Sequence, residues 1–294
     1  MQKKHAYFKN RWLPYWLLLP QLAVTFLFFF LPAAQTIKLS FEREDPFGFT
    51  ETFIGFENYV TVLSDPIYIK SLLTTVIFSA SVTIISMAIS LLLAVSVDRV
   101  IHAKKAYTTL LLWPYAVAPV LAGILWLFIF HPTIGIIPVL FEKTGIIWNH
   151  RVNSIQAMIL IVIAASWKQI SYNFLFFLAG LQSIPRSQIE AAAIDGAGPF
   201  KRFWTVIFPQ ISPTTFFLLV MNVHYVMFDT FGMIDNMTSG GPARATSTLV
   251  YKVYDDGFKN QIIGASAAQS AILMLMVIAL TFIQFRWIER RVQY

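Results

Sequence analysis

Lys70-Ser-Leu-Leu-Thr-Thr-Val-Ile-Phe-Ser-Ala-Ser-Val-Thr-Ile-Ile-Ser-Met-Ala-Ile-Ser-Leu-Leu-Leu-Ala-Val-Ser-Val-Asp98 encloses 27 residues without a formal charge. A helix rises about 1.5 Å per residue, so roughly 20 mostly apolar residues cross a hydrocarbon core of about 30 Å. This stretch is long enough, and it is not alone. Arg11 to Lys38, Arg202 to Asp229 and Lys259 to Arg286 each enclose 26 uncharged residues, and Lys105 to Glu142 encloses 36. Between Arg151 and Arg186 the one charge is Lys168. The windows predict spans near Tyr15–Ile37, Ser71–Val97, Tyr107–Phe130, Ala157–Leu181, Pro209–Phe228 and Ala267–Phe285. Helices satisfy their own backbone polar groups in lipid, so the fold class is an all-α membrane protein with six transmembrane helices. Pro20, Pro114 and Pro119 fall inside spans and are expected to kink them.

Composition agrees. Of 294 residues, 57% are hydrophobic and 13% charged, against about 25% charged in a soluble domain. A soluble bundle of buried helices is the competing reading, but it does not explain so many long windows separated by charged loops. The first window follows Lys3, Lys4, Lys9 and Arg11, as a secretory signal would. It is longer than the 7–15 apolar residues of a signal, and is read as a retained span. The chain has no Cys, which removes disulfides and thiol chemistry.

The net charge of +7 is explained by loops on one side of a membrane rather than by nucleic acid. The N-terminal tail, Arg99, Lys104 and Lys105, then Arg186, Lys201 and Arg202, then Arg286, Arg290 and Arg291 place 13 basic residues on one side. The other side has 8, over longer loops: Lys38, Arg43, Lys70, Lys143, Arg151, Arg244, Lys252 and Lys259. The positive-inside rule then puts both termini in the cytoplasm. Glu42, Glu44, Asp45, Glu51 and Glu57 gather in the first outer loop.

No catalytic constellation is present. There is no phosphate-cradling G-x-x-x-x-G-K-[ST], no H-E-x-x-H and no G-x-S-x-G, and the His residues have no metal spacing. The chain therefore reads as a non-enzyme without a metal site or bound cofactor. A stand-alone secondary transporter or channel would show internal repeats or charges in several spans, and neither is evident.

The longest inner connection runs Gln182-Ser-Ile-Pro-Arg-Ser-Gln-Ile-Glu-Ala-Ala-Ala-Ile-Asp-Gly-Ala-Gly-Pro-Phe-Lys-Arg-Phe-Trp-Thr-Val-Ile-Phe-Pro209. Pro185 suits the first position of a helix, Ser187 and Glu190 have capping-box spacing, and Ile189–Ile194 is a strong helix former. Gly196 and Gly198 suit left-handed backbone, and Pro199 blocks continuation. A short helix, a glycine turn and a second helix follow. They form either an ordinary surface connector or a slim face for a partner's groove.

Glu190-Ala191-Ala192, Asp195-Gly196 and Pro209 resemble the coupling loop of bacterial ABC importer permeases. Val206 and Phe208 depart mildly from its usual Ile and Leu. The resemblance implies a type I importer transmembrane domain in the bacterial inner membrane, with residues 184–209 docking on an ATPase subunit. It implies a cytoplasmic N-terminal tail, first transmembrane helix and first periplasmic loop at 1–70, and an ABC transmembrane type-1 core at 71–294. It also extends to the carbohydrate-uptake branch through Arg11-Trp-Leu-Pro-Tyr15, Asp45-Pro-Phe-Gly-Phe49, Trp113-Pro-Tyr-Ala-Val-Ala-Pro119, Trp167-Lys-Gln-Ile-Ser-Tyr-Asn-Phe174, Thr238-Ser-Gly-Gly-Pro242 and Gly264-Ala-Ser-Ala-Ala-Gln-Ser270. Within the branch these segments look like the first permeases of sn-glycerol-3-phosphate importers, with a sugar or oligosaccharide as the competing cargo. The expected partners are a second homologous permease, two ATPase subunits that hold ATP and Mg, a periplasmic substrate-binding protein and membrane lipid. The Gly240-Gly241-Pro242 turn is expected to meet the binding protein.

Polar residues inside the spans are the remaining candidates. Lys168, Gln169, Tyr172 and Asn173 interrupt the fourth, and Asn222, Tyr225 and Asp229 lie in the fifth. By helical spacing Gln169, Tyr172 and Asn173 share one face, and Asn222, Tyr225 and Asp229 share another. They either line a translocation path or join helices by hydrogen bonds. An ammonium at the depth of Lys168 needs a partner: a phosphate in transit, Asp229 or backbone carbonyls.

Overall fold

A computed structural model describes residues 12–44, 51–99 and 104–288. The tail through Arg11, the Asp45–Phe49 segment, and Arg290 and Arg291 lie outside the described residues. Four helices are long and apolar enough to cross a membrane: α1 (Leu13–Ser40), α3 (Pro66–Asp98), α7 (Ser154–Gln182) and α13 (Ile263–Arg286). Two further spans are bent pairs. One is α4 (Lys104–Ala116) with α5 (Pro119–Ile129), turned by 101°. The other is α9 (Pro199–Gln210) with α10 (Ser212–Asp229), turned by 68°. Shorter helices are α2 (Glu57–Ser64), α6 (Ile136–Glu142), α8 (Arg186–Ile194), α11 (Phe231–Thr238) and α12 (Leu249–Tyr254).

The third and fifth windows are therefore not continuous rods. At the third, Pro119 bars the preceding residue from helical backbone, and Ala118 sits at φ −59°, ψ 142°. Pro119 then opens α5 at a position whose N–H would be unpaired anyway. At the fifth, the break falls at Ile211, and the helix leading into it begins at Pro199 instead of Pro209. Pro20, by contrast, is carried within α1.

By contacts the chain divides into two units. The first holds Met1–Ser64 and Val253–Ile272. Here α1 leads into a two-stranded antiparallel pair, β1 (Glu42–Glu44) and β2 (Glu51–Phe53), the one non-helical element among the described residues. Asn58 Nδ2 ties α2 to the carbonyls of Ser40 (3.0 Å) and Glu42 (2.9 Å). A Cβ at Gly264 would stand 2.7 Å from both the Glu42 carbonyl and that amide, so this approach requires glycine.

The second unit holds Asp65–Lys252 and Leu273–Tyr294. Its spine is α3 packed along α7. Asp65 caps α3 by accepting from Ile67 N–H at 2.8 Å and pairs with Lys252 Nζ at 3.1 Å. Burial works to raise the Asp65 carboxyl, but the Ile67 N–H and the Lys252 ammonium outweigh it and hold the group below its ordinary value. Two apolar clusters form along these helices. One gathers Phe78, Val82, Phe130, Trp148, Leu160, Met233 and Tyr251. The other gathers Ala94, Val97, Phe174, Phe177, Leu181, Ile184 and Ile211 at the end that carries the 184–209 loop. Between them, along each helix, lies a layer of polar side chains.

Candidate functional site

The polar layer has two parts. In the first, Asn173, Asn222 and Ser86 are fully buried. Asn222 Nδ2 donates to Asn173 Oδ1 at 2.8 Å, and Asn173 Nδ2 donates to Asn222 Oδ1 at 3.1 Å. Ser86 Oγ donates to Asn222 Oδ1 at 2.9 Å and accepts from Asn173 Nδ2 at 3.2 Å. The second Asn222 amide hydrogen reaches the Leu218 carbonyl at 2.7 Å. This knot joins α3, α7 and α10 and leaves little bonding capacity for a passing molecule.

The second part surrounds a cavity of about 540 Å³ lined by Lys168, Gln169, Tyr172, His224, Tyr225 and Asp229 together with the Tyr115–Pro119 connector. Five of the seven span residues singled out from sequence are thus brought together here, and Asn173 and Asn222 are not. The wall is aromatic: the Tyr115 and Tyr172 rings lie 5.6 Å apart, and Tyr172 leads to Phe176 at 4.9 Å.

Lys168 reaches the break between α4 and α5. Its Nζ donates to the carbonyls of Tyr115 at 2.8 Å and Val117 at 2.7 Å, and sits 5.1 Å from the Tyr115 ring centroid. A helix end leaves its last carbonyls without intrahelical partners, and an ammonium there also meets the negative end of the helix dipole. An unpaired carbonyl at membrane depth costs several kcal/mol, and a mid-span ammonium at least about 2.5 kcal/mol. Each group answers the other's need.

The 184–209 loop folds as helix, turn and helix. Pro185 precedes α8 as its cap residue, so Ser187 falls inside the helix and forms no capping box. At the other end Gly196 takes φ +78°, Ala197 N–H reaches Ala192 O at 3.0 Å and Gly196 N–H reaches Ala193 O at 3.1 Å. That pair of bonds is a Schellman ending, which requires left-handed backbone at Gly196. Gly198 is not left-handed; at φ −64°, ψ 165° it caps α9, with Pro199 first in that helix. Glu190, Ala191, Asp195 and Gly196 are exposed, Ala192 and Pro209 half-buried. Ile194 and Phe200 are 86% and 78% exposed, apolar side chains held out from the chain. Ile189 instead packs against the apolar cluster that Tyr172 and Phe176 also touch.

Residues 70–294 match the family of binding-protein-dependent transport system inner membrane components. The chain belongs to this family. It is 58% identical over 287 residues to the sn-glycerol-3-phosphate transport system permease protein UgpA of Rhizobium meliloti, covering 98% of each chain. It is 53% identical to the protein of that name from Pectobacterium atrosepticum over all 294 residues of this chain and 100% of the relative. Among solved structures, a chain of a bacterial ABC transporter involved in import of the acidic polysaccharide alginate superposes with a TM-score of 0.84 at 20% identity, covering 96% of both chains. That likeness establishes the type I importer membrane fold.

As a member of this family the chain is an inner-membrane component of a transport system, and the polar layer takes on meaning. Sequence reasoning missed Tyr115 and His224. Tyr115 lies in a window read as a continuous span. His224 carries no metal spacing that would single it out, although it precedes Tyr225 directly. In the connection between α5 and α7, His131 Nε2 accepts from Arg151 at 3.1 Å. Buried His150 is held below its ordinary value by burial first, then by Arg151 and His131, with a bond to the Phe130 carbonyl working the other way.

Proposed function

We propose that this chain is the permease subunit through which an ATP-driven importer moves sn-glycerol-3-phosphate across the inner membrane by alternating access. The observation that carries the reading is the polar cavity midway along the spans, in a chain 58% identical over its length to a permease of that name. Lys168, Gln169, Tyr172, Tyr225 and Asp229, joined by His224, line the path. Asn173 and Asn222 hold its walls together. Both termini face the cytoplasm, as does the loop at 184–209. A second homologous permease completes the channel, two ATPase subunits bind ATP and Mg, and a periplasmic protein delivers the cargo.

The loop is the place where ATP drives the cycle. Glu190, Ala191, Ala192, Asp195 and Gly196, with Pro209 closing the second helix, form the docking segment. The exposed Ile194 and Phe200 supply apolar area to bury. Ile189 and Tyr172 pack against one apolar cluster, so movement of α8 has a packed route to the cavity wall.

The test is uptake by the complete importer in proteoliposomes. ATP-dependent accumulation of labelled sn-glycerol-3-phosphate, undiminished by excess neutral sugar, is the expected result. Accumulation of the sugar and not the phosphate ester would assign the chain to the competing cargo. Accumulation without ATP or the binding protein would contradict the importer itself.

A further inference from the structure

The ammonium of Lys168 is placed between two jobs. It lines the cavity, where a phosphate could meet it, and it donates to the carbonyls of Tyr115 and Val117 at the break of the third span. Two of its three N–H donors are committed at 2.8 and 2.7 Å. The residue is 8% exposed, and the Tyr115 ring packs beside it. A counter-ion for cargo needs donors aimed into the cavity. Here most of the donating capacity points into the wall.

The wall also needs it. The connector from Tyr115 to Pro119 forms one side of the cavity. Pro119 lacks an N–H, and Ala118 is extended, so the carbonyls ending α4 cannot be satisfied by continuing the helix. A turn of 101° held by irregular backbone has no internal ladder to fix its angle. Lys168 comes from α7, which is packed along α3 and tied into the Asn173–Asn222–Ser86 knot five residues further on. It therefore fastens the broken part of the wall to a continuous helix.

We propose that Lys168 is a positioning residue for transport: it pins the α4–α5 break to α7 and so sets the cavity wall, instead of serving as the counter-ion of the cargo. The inference rests on the cavity being the transport path, but its structural half can be read without any transport. The chain has no Cys, so Leu110→Cys on α4 and Leu125→Cys on α5, both exposed, introduce a single label pair in this chain. Pulsed electron-electron spin distances in the assembled importer report the angle at the break.

With Lys168 the distance distribution is narrow. Lys168→Met broadens or shifts it and lowers the maximal uptake rate at least about tenfold, while the KM for sn-glycerol-3-phosphate changes little. Lys168→Arg, whose guanidinium can span both carbonyls, recovers the narrow distance and part of the rate. An unchanged distance in Lys168→Met overturns the proposal, whether KM rises, as for a lost counter-ion, or uptake is unaffected. If Lys168→Met does not assemble, Lys168→Gln keeps a neutral donor for the carbonyls and is read as a rescue, like Lys168→Arg: a narrow distance with KM preserved supports the pin, and a narrow distance with KM raised overturns it. Should the parent importer ignore sn-glycerol-3-phosphate, the cargo assignment fails, while the distances still decide the pin.

Discussion

The Asn173–Asn222–Ser86 knot and the Lys168 cavity occupy the same level of the spans and are built from similar polar groups. The knot closes on itself: each amide finds its partner on a neighbouring helix, and no member is exposed. The cavity leaves Gln169, Tyr172, His224 and Asp229 facing a space of about 540 Å³. Polarity inside a span therefore does not by itself mark a path. What separates the two regions is whether the bonding capacity is consumed within the protein, and that depends on partners from other helices.

The largest expected effect comes from opening the knot. Asn222→Leu keeps the shape but strips partners from Asn173, Ser86 and the Leu218 carbonyl. Leaving such groups buried and unsatisfied costs about 1–3 kcal/mol. The assembled importer should lose thermal stability and uptake together. Asn173→Leu with Asn222→Leu should recover part of the stability, because removing both partners is nearer to neutral. Full stability of the single variant would break the distinction between knot and cavity.

Next in size is a change that touches neither region. Gly196→Leu puts a side chain on left-handed backbone, at about 1–2 kcal/mol, although nothing of this chain lies within 4 Å of the new Cβ. Uptake and substrate-stimulated ATP hydrolysis should fall severalfold while the protein inserts at its normal level. Normal uptake would reduce the loop to a connector.

Within the cavity, Gln169→Leu should lower uptake several-fold at unchanged assembly, the converse of the knot variants. A loss of assembly matching that of Asn222→Leu would place Gln169 with the knot.

The smallest effect lies at a polar group buried outside the spans. Burial, Arg151 and His131 hold the His150 pKa below 6.5. The unfolded loop then binds more protons than the folded one, so stability rises with pH up to about that value and is flat above it. Amide protection factors in the connection between α5 and α7, taken against the intrinsic exchange rate at each pH, should rise with pH up to about 6.5 and level off above it, and His150→Phe should flatten the trend. A slope that survives the substitution assigns the titration elsewhere.

The spans were legible because lipid imposes a length and an absence of charge on each of them, as in the stretch from Ser71 to Val97. The ending of α8 was legible for a local reason: Gly196 is where a left-handed residue must sit. The bends were less so. Pro114 and Pro119 announced a kink, but not a turn of 101°, because the angle depends on what holds the broken ends. The partners of Lys168 stayed open among phosphate, Asp229 and carbonyls, since every residue carries a carbonyl and the sequence does not single out Tyr115 and Val117. The Ser187–Glu190 spacing misled because Pro185 takes the cap position itself, which leaves Ser187 inside the first turn. Asn173 and Asn222 share helical faces with cavity residues, and only the third helix, bringing Ser86, shows that they are consumed.

Thiol reactivity in the assembled importer tests the separation of path from knot most directly. His224→Cys and Tyr172→Cys on one side, and Ser86→Cys on the other, are exposed to a small water-soluble methanethiosulfonate during ATP-driven turnover. Uptake by the first two should be blocked, and sn-glycerol-3-phosphate should slow the reaction. Uptake by Ser86→Cys should be no more sensitive than that of the parent. Equal reactivity at all three positions, or cavity thiols that react at the same rate with and without substrate, would contradict the account.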